Sequence, residues 1–143
     1  MLKLKLIFIS FILFLFFSMC DNQSPIPETY VNFTIQLDDP TFVDLVPISG
    51  SVYLPYEGNK GIIVIHTEIS KFMAYDATCT YDPENSWGRV VIDASGISAV
   101  DTVCGSTYSL MLDGMVTEGP SGLPLVQYVA DYNANLNSLH IHN

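Results

Sequence analysis

Apolar residues recur at every second position along much of this chain. That period belongs to a half-buried strand, because successive side chains of a strand point to opposite faces of the sheet. Val31, Phe33, Ile35 and Leu37 alternate with Asn32, Thr34 and Gln36, which predicts a strand with one wet face. Gly61-Ile62-Ile63-Val64-Ile65 is instead a continuous β-branched run, the pattern of a strand covered on both sides. Phe72 to Asp76, Arg89 to Asp93, Ile97 to Val100, Leu125 to Asp131 and Ser138 to His142 add further short strands. The sharpest local signal is Asp113-Gly114, set between Tyr108–Leu112 and Met115–Thr117, since a D-G pair between apolar runs favours a tight hairpin. No helical stripe exceeds two turns, no internal repeat is present, and 9 Gly and 8 Pro fall between the runs as turn punctuation. The expectation is an all-β antiparallel sandwich or barrel over residues 30–143.

The N-terminal segment has a different character. Lys3 and Lys5 precede Leu6 to Phe17, apolar except for Ser10, which reads as the n-region and h-region of a secretion signal over residues 1–19. The run to Met19 falls short of the roughly 18–20 residues that span a bilayer. Cys20, directly after Phe17-Ser18-Met19, suggests a lipoprotein cleavage site, with Cys20 lipidated and residues 20–29 (two prolines among polar residues) forming a tether. The expected address is an exported, membrane-anchored lipoprotein of a bacterial cell envelope. Removing the signal leaves 124 of 143 residues, and the loss of Lys3 and Lys5 takes the formal charge from −10 to −12. Lys60, Lys71 and Arg89 are then the only strong bases. Such a chain is repelled by phosphate backbones and by anionic lipid heads, which excludes nucleic acid and leaves membrane attachment to the lipid.

Few residues suggest catalysis. No Ser/His/Asp order, Gly-rich phosphate loop or H-E-x-x-H helix is present. His66 follows the Ile62–Ile65 run as a rim residue. His140 and His142 alternate with Leu139 and Ile141 on the wet face of the last strand; an H-x-H pair can bind a metal, and here it reads as solvated. Asp82 and Glu84 flank Pro83 in a turn and read the same way. With Cys20 assigned to the lipid, Cys79 and Cys104 remain. In an oxidising compartment two cysteines form a staple, or else serve as metal or cluster ligands, or as a redox-active dithiol. The chain is expected not to be an enzyme.

Two segments, taken together, resemble the Rieske iron–sulfur family. Gly61 to Pro83 (G-I-I-V-I-H-T-E-I-S-K-F-M-A-Y-D-A-T-C-T-Y-D-P) is similar to that family's approach to its first ligand loop. Cys104 to Tyr128 (C-G-S-T-Y-S-L-M-L-D-G-M-V-T-E-G-P-S-G-L-P-L-V-Q-Y) is similar to the second loop, with G-S-x-Y, D-G, G-P and P-L-x-x-Y in order. The similarity runs from Gly61 to Ile141. It implies a Rieske-like antiparallel sandwich or barrel with two ligand-type loops at one end. In the family those loops hold a 2Fe-2S cluster, two thiolates on one iron and two imidazoles on the other.

Alignment on Gly105-Ser106-Thr107-Tyr108 places Cys79, Tyr81, Asp101 and Cys104 at the four ligand positions. No histidine lands in either loop. Tyrosine would have to lose a proton with a pKa near 10 to ligate, and an Asp/Tyr/dithiolate set would be strongly anionic. The resemblance therefore implies a scaffold that has lost its usual cluster, with no cofactor expected. A Cys79–Cys104 disulfide would join the two former ligand loops, and the role would be structural or binding toward a protein or glycan partner. An electron-transfer protein holding a 2Fe-2S cluster through atypical ligands is the alternative. Ser106 and Tyr108 match the residues whose hydroxyls hydrogen-bond the cluster sulfurs; without a cluster they cap the loop. Gly119-Pro120-Ser121-Gly122 matches the loop that covers it.

Overall fold

A computed structural model of the protein describes residues 26–143. The signal segment, Cys20 and the tether up to residue 25 lie outside the described residues. Ten strands follow in chain order: β1 Asn32–Gln36, β2 Ser51–Leu54, β3 Ile62–Glu68, β4 Lys71–Asp76, β5 Val90–Ile92, β6 Ser98–Asp101, β7 Thr107–Ser109, β8 Met115–Glu118, β9 Gln127–Asn133 and β10 Ser138–His142. A short 3-10 helix, Pro40–Leu45, separates β1 from β2. All pairings are antiparallel. The expected all-β architecture is the one observed.

Six strands form one curled sheet in the order β1-β10-β9-β4-β3-β2, and four form a second in the order β5-β6-β7-β8. The smaller sheet is inserted between β4 and β9, which are themselves neighbours through Ala74↔Tyr128 and Tyr75↔Gln127. This arrangement gives β3 its unbroken apolar run. Ile62 and Val64 face one core with Leu139, Ile141, Tyr128 and Leu45. Ile63 and Ile65 face the other with Tyr75, Val90, Ala99 and Tyr108 from the strands on either side of the interface. All four β3 residues are fully buried, as a strand covered on both sides requires.

The Asp113-Gly114 hairpin is present: both residues take positive φ, 52° and 68°, and the Met115 amide donates to the Leu112 carbonyl at 2.9 Å. These are the dihedrals of a type I′ turn. β7 nevertheless ends at Ser109, three residues before the expected end; the Leu110 amide carries the β6–β7 register one bond further, to Ile97 O (2.9 Å), and the chain then turns. β2 and the 3-10 helix were not anticipated. The helix starts at Asp39, whose carboxylate accepts from the Thr41 amide (2.8 Å), with Pro40 in its first turn.

Of the expected tether, Ile26 to Thr29 are described and lie against the domain. Ile26 is buried, the Asn59 side-chain amide donates to Pro27 O (3.0 Å), and that of Asn143 donates to Thr29 O (2.8 Å).

Candidate functional site

Three segments meet at one end of the inserted sheet: the stretch after β4 that carries Cys79, the β6–β7 turn that carries Cys104, and residues 119–123 after β8. Each is held by specific bonds. The first leaves β4 at Asp76, whose carboxylate accepts from the Thr78 amide (2.9 Å). Beyond Cys79 it is pinned by the Cys79 amide donating to Gly88 O (3.1 Å). The Lys60 ammonium also reaches it, donating to the carbonyls of Pro83 (2.9 Å), Asn85 and Gly88 (3.0 Å). The second segment is an Asx-type turn built on Asp101. Its buried carboxylate accepts from the amides of Val103 (2.7 Å) and Cys104 (3.4 Å), and its carbonyl accepts from Gly105 (2.8 Å). Gly105 supplies the positive φ (77°) that such a tight turn needs.

The third segment closes over the second. Gly119, at φ 92°, lies so near that a Cβ there would come within 2.5 Å of Ser106 Cα. Ser106 is fully buried, and its hydroxyl accepts from the Ser121 amide (3.1 Å). Thr80 ties all three together: its hydroxyl donates to Leu123 O (2.7 Å) and contacts the hydroxyls of Tyr108 (3.0 Å) and Ser121 (2.6 Å). The Tyr108 hydroxyl also accepts from the Thr80 amide (3.3 Å). Ser106 and Tyr108 thus cap these loops.

The two sulfurs come together within this frame. Cys79 Sγ is 3.4 Å from Cys104 Sγ and 3.5 Å from the Tyr108 hydroxyl. Both residues are thiols, at a separation that a small side-chain movement closes to a bond of about 2.0 Å. One ligand atom from each of Cys79, Asp101 and Cys104 lies within 4.8 Å of the other two. Tyr81, the fourth position, is an exposed residue (55 %). Asp82 and Glu84 are exposed turn residues. Thr80 was missed by the sequence reading, since nothing in T-C-T-Y marks one threonine as a hub.

Burial, together with the Asp101 carboxylate that accepts from it, pushes the Cys79 thiol up to about 11. Burial likewise raises the Tyr108 phenol above its ordinary value. Cys79 therefore holds its proton at neutral pH and is a poor nucleophile by itself. The linkage has a definite sign. In the unfolded chain the thiol ionises near 9, while the folded chain resists until about 11. The contribution of Cys79 to stability is thus fully present below about pH 9 and is lost as pH rises toward 11. In reduced protein the urea midpoint should fall across that interval more steeply than in protein whose two sulfurs are bonded, where no Cys79 thiol remains to titrate. Parallel pH profiles for the two forms would contradict this burial.

The histidines lie elsewhere. His66 stacks on Phe72 (centroids 4.3 Å apart), with Nδ1 against the carbonyls of Leu45 (3.0 Å) and Val46 (3.2 Å). His140 and His142 project from β10 on the outer face of the six-stranded sheet. The Asn143 carbonyl and the Asp131 carboxylate both favour the His142 imidazolium and raise its pKa. Among the described residues, no histidine belongs to the Cys79–Asp101–Cys104 group. Compared with known families and curated proteins, the chain matches no family model and no curated sequence.

Proposed function

We propose that this chain is a non-enzymatic, Rieske-like domain of an exported envelope lipoprotein, held at a bacterial membrane by lipid on Cys20. In it a Cys79–Cys104 disulfide joins the two ligand-type loops in place of a 2Fe-2S cluster, and the domain serves as a structural or binding module for a protein or glycan partner. The observation that carries the reading is the 3.4 Å approach of the two sulfurs across loops 25 residues apart in sequence.

The donor set supports a scaffold without the cluster. A 2Fe-2S cluster takes four protein ligands, two on each iron. Here three donors converge within 4.8 Å, a spread suited to one centre, and the Asp101 carboxylate is already engaged with two backbone amides. Tyr81 is exposed and would have to lose a proton with a pKa near 10 to ligate. Bond formation balances as an exchange with the disulfide of an oxidising partner in the envelope. Cys104, the more accessible sulfur, forms the mixed disulfide. That step releases the partner's other sulfur as a thiol; Cys79 Sγ then attacks Cys104 Sγ, its proton passing toward Asp101, and the bond from Cys104 to the partner's remaining sulfur breaks. Two thiols lose two electrons and two protons, and the partner leaves as a dithiol.

The test is the full chain isolated from cells with thiols alkylated at lysis. The expected product carries no alkyl group on Cys79 or Cys104, is lighter by two hydrogens than its reduced form, begins at an acylated Cys20, and holds no iron or acid-labile sulfide. Alkylation of both cysteines, or iron near two per chain, would overturn the reading in favour of free thiols or an electron carrier. A chain still beginning at Met1 would remove the lipoprotein assignment.

A further inference from the structure

The outer face of the six-stranded sheet carries a second constellation, independent of the cysteine loops. The H-x-H spacing on β10 puts His140 and His142 on one side of the strand, where their rings stack with centroids 4.7 Å apart. The β9–β10 register places Asp131 directly opposite His140, and the β1–β10 register places Asn32 opposite His142. Paired residues of an antiparallel sheet share a face, so all four side chains rise from the same surface. One ligand atom from each of Asp131, His140 and His142 lies within 4.8 Å of the other two.

We propose that Asp131, His140 and His142 form a site for a first-row divalent transition ion, Zn2+ foremost. The orientation of the rings supports it. His142 Nδ1 is 3.1 Å from the Asn143 carbonyl, which can only accept, so Nδ1 carries a hydrogen and Nε2 is the nitrogen turned to Asp131 Oδ2, 3.1 Å away. A carbonyl on the far nitrogen of a ligating imidazole is the usual outer partner that orients it. On the other side, Asn32 donates its amide N–H to the Tyr30 hydroxyl (2.8 Å), which turns Asn32 Oδ1 toward His140 Nε2 at 2.9 Å; that oxygen can only accept, so Nε2 carries the hydrogen and Nδ1 is the His140 nitrogen left to ligate. The assembled donors are two imidazoles and one carboxylate, with Asn32 Oδ1 an outer partner of His140.

That set selects the metal class. Ca2+ and Mg2+ prefer oxygen donors throughout, whereas imidazole nitrogen suits Zn2+, Ni2+ and Cu2+. Bonds of about 2.0–2.2 Å draw the ligand atoms closer than their present spread. The Asp131 side chain is 69 % exposed and free to swing inward. Three protein ligands leave one position open to water or to an external donor, so the ion would be exchangeable and accessible from solvent. The chain's net charge of −10 favours cation approach to this face.

Calorimetric titration of the full chain in detergent, with Zn2+ alone as the probe, tests this. One equivalent should bind, and binding should persist in the Cys79→Ala/Cys104→Ala variant. His142→Gln and Asp131→Asn should each weaken it by at least about 10–100-fold, the loss that removing even an outer partner of a ligand causes. Both substitutions are on an exposed face, and unchanged far-UV circular dichroism confirms that the fold is intact. Co2+ in place of Zn2+ should give ligand-field bands without thiolate-to-cobalt charge transfer. Absence of binding, affinity unaffected by His140→Gln/His142→Gln, or a thiolate charge-transfer band would overturn the proposal; the last would move the metal to the cysteine loops.

Discussion

Reduction of the oxidised protein is expected to lower its unfolding free energy by about 3–4 kcal/mol, the chain-entropy value for a closed loop of this length. The bond proposed above would close 25 residues that include β5, β6 and the Asp101 turn. Folding without it must bring two segments of different sheets together unaided. Against a total stability of about 5–15 kcal/mol for a domain of ordinary size, that is a large share. The native side of the comparison is favourable: the sulfurs already stand 3.4 Å apart among bonded loops, so closing the bond strains little. Urea unfolding with and without reductant should separate the midpoints by on the order of 1–2 M, and Cys79→Ala/Cys104→Ala should unfold with the reduced protein. Coincident midpoints would show that the loops are held by Thr80, Ser106 and Tyr108 alone.

What could be read before the structure, and what could not, follows from the range of the interactions. Alternation and turn chemistry are local, so β1, β3, β4, β10 and the Asp113-Gly114 hairpin were legible; the double burial of Ile62 to Ile65 followed from their continuous run. β2 escaped because Ser51-Val52-Tyr53-Leu54 is short and only half-buried, and its strand state comes from pairing with β3. The convergence of Cys79, Asp101 and Cys104 came from a resemblance rather than a local pattern, and Tyr81, placed by the same alignment, is exposed. His140 and His142 were visible as a pair. Asp131 was not, because its place opposite His140 depends on the register set by the turn after Asn133, which spacing alone does not specify.

Replacement of Asp76 by alanine is expected to be among the most destabilising single changes in the chain, costing at least about 3 kcal/mol, because hydrogen bonds to a charged group contribute about 1.5–3 kcal/mol each and their donors would be left buried. Asp76 ends β4 with no exposed surface. One carboxylate oxygen accepts from the Thr78 amide (2.9 Å); the other accepts from the Tyr128 hydroxyl (2.8 Å) and the Asn59 amide (2.8 Å). The Asn59 side-chain amide adds a longer bond to the second oxygen (3.3 Å), and among the described residues no cation pairs with the carboxylate, so neutral donors compensate its desolvation. Burial, with the carboxylate second, raises the Tyr128 phenol and keeps it a donor across the neutral range. The site joins β4, β9 and the β2–β3 loop at the point where the chain leaves for Cys79. Asp76→Asn keeps the shape and part of the accepting capacity, so it should cost roughly half as much; Tyr128→Phe removes one bond and should cost less than Asp76→Ala. Because Asp76 and Tyr128 share one interaction, the double variant should fall short of the sum of the singles. Loosening this corner should also slow formation of the Cys79–Cys104 disulfide when the refolded reduced variant is treated with a small-molecule disulfide, which accepts the two electrons and leaves as two thiols, measurable by timed alkylation. An Asp76→Ala protein with a native urea midpoint and native oxidation rate would show that this buried carboxylate neither stabilises the junction nor guides the chain to the sulfur pair.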